Sequence, residues 1–159
     1  WQGRYAATFE ESVRRTEDKY DVAIAVENMF PWRTGGKDRK AYLPGIDPSL
    51  MDVRHATLDF SHCALAGRDS LELAKDLGQR LRHLHLTDGI GGKGNRTSDE
   101  HLVPAADEPV AEVLQLLAEQ GFGGQIIAEI KTRGVRTEKD RRALIQETID
   151  FARTHLGQA

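Results

Sequence analysis

Four short apolar runs, each closing on or beside a charged residue or a histidine, constrain this chain more than any other feature. They are VAIAV (22–26), ATLDF (56–60), LRHLHL (81–86) and QIIAEI (125–130). VAIAV, a continuous apolar run, reads as a strand buried on both faces, as in parallel sheets and barrels, whereas LRHLHL alternates, with Leu81, His83 and His85 on one face and Arg82, Leu84 and Leu86 on the other. Amphipathic stretches lie between the later runs, and strands alternating with helices argue for parallel βα units. The order along the chain is helix, strand, loop, strand, helix, strand, helix, strand, helix.

The helices announce themselves by spacing and caps. Tyr5, Phe9 and Val13 recur at four-residue steps and predict a helix over 7–19. Asp47-Pro48-Ser49 opens a short helical turn. Asp69 and Glu72 have the offset of a capping box, with Leu73, Ala74 and Leu77 on one face and Gly78 as a stop. Asp107 with Pro109 starts a helix whose stripe is Val110, Val113, Leu114 and Leu117, ended by Gly121. Thr137 opens a last helix with Leu144, Ile145, Thr148, Ile149, Ala152 and Leu156 on one face. The segment 29–48 is long for a connector, so it reads as functional or partly mobile. No GxGxxG or GxxxxGK[ST] follows any strand, which leaves nucleotide-binding versions of this layout without support.

Composition narrows the class. The 159 residues suit one domain, 1–159, and no apolar run approaches the ~18 residues of a membrane span. The first residues carry neither a basic leader nor an apolar core segment, and Cys63 alone cannot build a disulfide framework. A reducing, cytoplasmic setting is the expectation. A net charge of −3 gives no basic footprint for nucleic acid. The chain begins with Trp1, so it reads as a fragment or a trimmed product.

Glu27, Asp59, His85 and Glu129 each stand at or just past the end of a different predicted strand. Their spacings run from about 26 to about 44 residues, against about 31 per unit in a (β/α)₈ barrel of about 250 residues. Strand ends in such barrels converge on one face. Three carboxylates and an imidazole gathered there would repel one another unless a divalent cation neutralised them. Taken singly, Glu27 and Glu129 also read as exposed strand-end residues, Asp59 as a turn cap onto Ser61, and His85 as an edge histidine. After His85 a Gly-rich loop carries Lys93, Asn95 and Arg96, plausible anion contacts or plain turn residues, and closes on Asp99-Glu100-His101, further metal-type ligands.

The segments VAIAVENMFPW, LDFSHC, LRHLHLTDG, SDEHLVP and IIAEI resemble the C-terminal half of the xylose-isomerase-like barrel superfamily. That group holds sugar and sugar-phosphate isomerases and epimerases, and the endonuclease IV type of apurinic-site nuclease. The resemblance implies an α/β fold of parallel βα units, four strands with flanking helices forming half of a TIM barrel. It further implies four more βα units before Trp1. Four strands cannot close a barrel, so the chain reads as part of a longer protein or as a half-barrel that self-associates. Glu27, Asp59, His85 and Glu129 match the family's metal positions, for a divalent Mn, Zn or Mg. His62 matches a histidine that contacts substrate in the epimerases and zinc in the nuclease. Asp99 and His101 resemble the nuclease's ligands for a further metal, and occur more widely in the group. Pro104-Ala105-Ala106-Asp107 departs from the family's Pro-Gly-x-Gly turn.

In function, the resemblance implies a metal-dependent sugar or sugar-phosphate isomerase or epimerase with an enediolate intermediate. Glu27 and Glu129 are its expected acid and base. His62, Trp32 and Lys131 are expected to bind the substrate, with Phe30 and Trp32 walling a sugar pocket or packing under the long loop. Lys131 heads a basic run through Arg133, Arg136, Lys139, Arg141 and Arg142 that reads as a phosphate site or as a solvated helix start. The alternatives are an endonuclease IV-like zinc phosphodiesterase on abasic DNA, and an inactive metal-binding fragment. No membrane partner is expected, and nucleic acid ranks below a small sugar.

Overall fold

The computed structural model describes residues 2–34, 37–40, 46–90, 99–104 and 108–157, with side chains described except at 2–6, 32–34 and 38–40. In chain order the elements are α1 (Gln2–Tyr20), β1 (Ala25–Glu27), β2 (Pro31–Thr34), β3 (Lys37–Lys40), β4 (His55–Asp59), α2 (Phe60–Ala66), α3 (Ser70–Leu77), β5 (Leu81–Leu86), α4 (Val110–Glu119), β6 (Gln125–Ala128) and α5 (Glu138–His155). A 3₁₀ turn at Pro48–Leu50, capped by the Asp47 carboxylate on Ser49 N, precedes β4.

Four strands form one parallel sheet in the order β1-β4-β5-β6. The protein is an α/β fold built of parallel βα units. Ala56, Leu58, Leu84 and Leu86 turn to one face of the sheet. There they join Leu73 and Leu77 of α3, Val110, Val113, Leu114 and Leu117 of α4, and Ala152 of α5 in one core. Leu58, Leu84 and Leu114 are fully buried. The other face carries Glu27, Thr57, Asp59, His83, His85 and Ile127, matched across the strands by register. On this face Ile127 is 47% exposed, while Thr57 and Asp59 are buried.

Several elements differ from the sequence reading. The first helix begins at Gln2 rather than at 7. The first strand is not 22–26 but Ala25–Glu27, because its partner β4 starts at His55 and offers no ladder bonds earlier. Ahead of it Asp21 turns at φ 52°, and Ile24 N donates to the Glu17 carboxylate at 3.0 Å instead of to a strand. Val22 stands 49% exposed. The long segment after Glu27 contains an antiparallel hairpin, β2–β3, with Trp32 opposite Arg39. Phe60 belongs to α2, which periodicity missed because only seven residues separate Asp59 from the left-handed cap at Gly67. The last strand stops at Ala128, two residues short of Ile130.

Glu108 leads into α4 next to a buried acidic neighbourhood. Burial, and then Asp88 and Asp69, push its carboxyl up to about 7, with the nearby Ser70 hydroxyl working the other way. A carboxyl that holds its proton more tightly when folded favours the fold at low pH. That contribution fades as pH rises from the ordinary carboxylate range through about 7. Urea melts between pH 4.5 and 8 are expected to show a loss on the order of 1–2 kcal/mol, discounted for solvent screening, that Glu108→Gln removes. Identical profiles for the two proteins would contradict it.

Candidate functional site

The carboxyl ends of the four parallel strands bring together residues far apart in sequence. Glu27 is the last residue of β1, Asp59 the last of β4, and Glu129 directly follows β6. His85 lies on the same face of β5, paired with Asp59 on one side and Ile127 on the other. Its Nδ1 is 3.1 Å from Glu27 Oε1, 3.2 Å from Asp59 Oδ2 and 2.8 Å from Glu129 Oε2. Contacts with Asp59 and Glu27 hold the imidazole pKa up at about 10, against the effect of burial. For Glu27, burial opposes the charge, but His62 and His85 outweigh it and pull the carboxyl down to about 2.

A second group adjoins the first. His62 Nδ1 is 2.8 Å from the Asn28 carbonyl and 3.2 Å from Glu27 Oε1, and its Nε2 is 3.5 Å from Asp99 Oδ2. His101 Nε2 meets the same Asp99 oxygen at 2.5 Å, and its Nδ1 faces the Glu129 carbonyl at 3.1 Å. His101 adopts φ 35°, a left-handed conformation that histidine enters more readily than most residues. Burial resists charging His62, yet Asp99, Glu27 and Asp59 push its pKa up to about 11. Asp99 is held well below the usual carboxylate range: its burial is outweighed by His101, His62 and Ser61.

Asp59 shows how two readings of one residue coexist. Its Oδ1 caps α2 by accepting from His62 N at 3.0 Å and from Ser61 Oγ at 2.9 Å. Its Oδ2 turns to His85. The cap and the cluster use different oxygens of one fully buried carboxylate.

This donor set fits a divalent cation. One imidazole nitrogen carries at most one proton, so it cannot donate to three carboxylates at once. A cation among the four groups satisfies all of them with the oxygen and nitrogen donors such ions take. Ligand atoms of Glu27, Asp59 and His85 lie within 4.8 Å of one another, as do those of Asp59, His62 and His101. In the second group each histidine turns Nδ1 to a backbone carbonyl and leaves Nε2 toward Asp99. That is the arrangement by which second-layer hydrogen bonds fix a ligating tautomer.

The remaining sequence candidates sit less centrally. The Lys131 side chain is exposed, while its backbone N donates to the His101 carbonyl at 2.9 Å and so ties the strand β6 exit to the 99–101 segment. Trp32 has its backbone in β2, and its side chain lies outside the described residues. Lys93, Asn95, Arg96, Ala105, Ala106 and Asp107 also lie outside them. The Phe30 ring packs at 5.0 Å from the His62 ring, which places it at the rim of the second group.

Two polar residues of this region have no site role in the sequence reading, Asn28 going unremarked and Ser61 figuring only as the partner of a turn cap from Asp59. The Asn28 side chain accepts from Asp59 N at 2.7 Å and donates to the Asp59 carbonyl at 3.0 Å, clamping the end of β1 to the end of β4. Ser61 is fully buried between Asp59 and Asp99. Each stands beside a noticed acid or histidine, and adjacency was the only available signal.

The comparisons agree with this geometry at the level of fold and family. The sequence matches the family described as xylose isomerase-like TIM barrel over residues 1–155. Uncharacterized proteins of Mycobacterium tuberculosis and Mycobacterium leprae are each 41% identical to it over 98% of this chain. The chain spans 61% of the length of these relatives. A crystal structure of a D-tagatose 3-epimerase-like protein shares the fold with a TM-score of 0.54 at 21% identity, over 91% of this chain and 54% of that one. The four parallel strands and their helices therefore form part of a TIM barrel, and the chain belongs to the xylose isomerase-like TIM barrel family.

Proposed function

We propose that this chain carries the metal-holding and proton-transfer groups of a sugar or sugar-phosphate isomerase or epimerase. The observation that carries the reading is the convergence of Glu27, Asp59 and Glu129 on His85 Nδ1 at 2.8–3.2 Å. Glu27, Asp59, His85 and Glu129 would hold a divalent cation, Mn, Zn or Mg. When bound, such an ion supplies Lewis-acid polarisation of a sugar carbonyl and its neighbouring hydroxyl.

The protein's own groups do the rest. Glu27 ends β1 and Glu129 follows β6, with β4 and β5 between those strands, and the reading sets the two acids on opposite sides of a substrate. In this reading Glu27 is the base that takes a proton from the carbon beside the carbonyl. Glu129 in its protonated form returns a proton from the other side, either to the same carbon, which inverts it, or to the former carbonyl carbon, with the hydroxyl proton passing between the two oxygens, which moves the carbonyl by one position. In this reading His62 would orient a hydroxyl, Trp32 would wall the sugar and Lys131 would meet a phosphate.

A second reading rests on the second group. His62, Asp99 and His101, contiguous with the first cluster, would hold additional zinc in an endonuclease IV-like phosphodiesterase on abasic DNA. Metal content by elemental mass spectrometry separates the two. About one equivalent of metal, with ketose-dependent uptake of solvent deuterium at carbon, is the outcome expected for the isomerase. Glu129→Gln is expected to slow that exchange by ~10²–10⁴-fold. Two or three equivalents of zinc with cleavage of abasic DNA would replace the isomerase reading by the nuclease.

A further inference from the structure

We propose that Ser61 is a positioning residue whose hydroxyl couples Asp99, and with it the second ligand cluster, to the first turn of α2. The inference rests on the metal-holding reading above and adds a residue to it. Ser61 is fully buried in the first turn of α2. Its Oγ stands 2.9 Å from Asp59 Oδ1 and 2.5 Å from Asp99 Oδ1. The outer oxygens of the same two carboxylates turn away from it, Asp59 Oδ2 toward His85 and Asp99 Oδ2 toward His101 and His62. One hydroxyl therefore sits on the inner edge of both acids and aims their outer edges at different histidines.

The loop after β5 runs close to the turn that carries Ser61: a Cβ at Gly89 would meet Ser61 Cα at 2.9 Å. The two acids depend on the Ser61 hydroxyl unequally. Asp59 is also held by His62 N and, through its backbone, by the Asn28 clamp. Asp99, 27% exposed in its side chain, is held among the described residues by Ser61 and the two histidines. Removing the hydroxyl should therefore loosen the second cluster far more than the first.

Isothermal titration with Zn²⁺ alone, and with Mn²⁺ alone, tests this on the chain as it stands. Wild type is expected to show one tight site, the single equivalent of the isomerase reading, and a second, weaker class that fills only on titration. Ser61→Ala is expected to weaken one class by about 10–100-fold, as losses beside a ligand commonly do, and to leave the other within about threefold. Ser61→Thr, which keeps the hydroxyl, is expected to restore it. Asp99→Asn supplies a second route if Ser61→Ala fails to fold: it should weaken the same class, and Ser61→Thr should still bind as wild type does. In the double variant the two losses should fail to add. Unchanged binding in Ser61→Ala overturns the coupling, as does additive loss or an equal loss of both classes. A single class in wild type overturns it too while leaving a one-metal isomerase standing. Wild type that binds neither ion overturns this inference together with the metal reading.

Discussion

Asp59→Asn is expected to lower divalent-cation affinity by at least ~100-fold while leaving the helical content of the protein unchanged. The size comes from removing a first-layer charge at a position where changes one layer further out already cost 10–100-fold. Selectivity comes from the two oxygens. An amide keeps an oxygen that can accept from His62 N and Ser61 Oγ, so the cap on α2 survives. The group facing His85 then becomes neutral, or presents N–H where an acceptor is needed. Asp59 is fully buried and is the one carboxylate common to both candidate clusters among the described residues. Titration with Zn²⁺ and Mn²⁺ reads the affinity and circular dichroism the fold. Wild-type affinity in a folded variant would remove Asp59 from the metal-holding set.

The largest expected effect on stability lies on the opposite face of the same sheet. Leu84→Ala is expected to destabilise the protein by about 2–5 kcal/mol in urea unfolding, since the side chain is fully buried and its loss leaves a cavity that the surrounding helices cannot close. Leu84 sits in β5, which pairs with β4 on one side and β6 on the other, so its backbone has little room to relax. Against a total stability of about 5–15 kcal/mol for an ordinary domain, that is a substantial share. Ile127, on the other face and 47% exposed, is the internal comparison. Its truncation to alanine should cost much less, because much of its surface is already in water. Equal losses at the two positions would contradict the assignment of the faces.

The alternation of apolar runs and amphipathic stretches was enough to read parallel βα units, because each strand and helix here has a local pattern. Leu81–Leu86 and the α4 stripe appear where periodicity put them. The acids and histidines at strand ends were legible for a related reason. In parallel units every strand runs the same way, so residues at successive strand ends share one end of the sheet. Where pairing sets an element's limits, local pattern fails. The run at 22–26 looks like a strand throughout, but β4 supplies partners only from His55, and the apolar start is left exposed. The hairpin β2–β3 has no apolar alternation to reveal it.

Residue types and their spacing by themselves determined the class of fold, the direction of its strands, and which four acids and histidines stand at strand ends. Only the tertiary structure decided that Glu27, Asp59 and Glu129 converge on a single nitrogen of His85, and that Asp99 and His101 return to meet His62. It also decided that Ser61 and Asn28, unremarkable in sequence, hold the acids in place. The physical reason is range. Periodicity and capping act over a few residues, whereas a charge cluster is set by distances between strands that the chain connects only through whole helices.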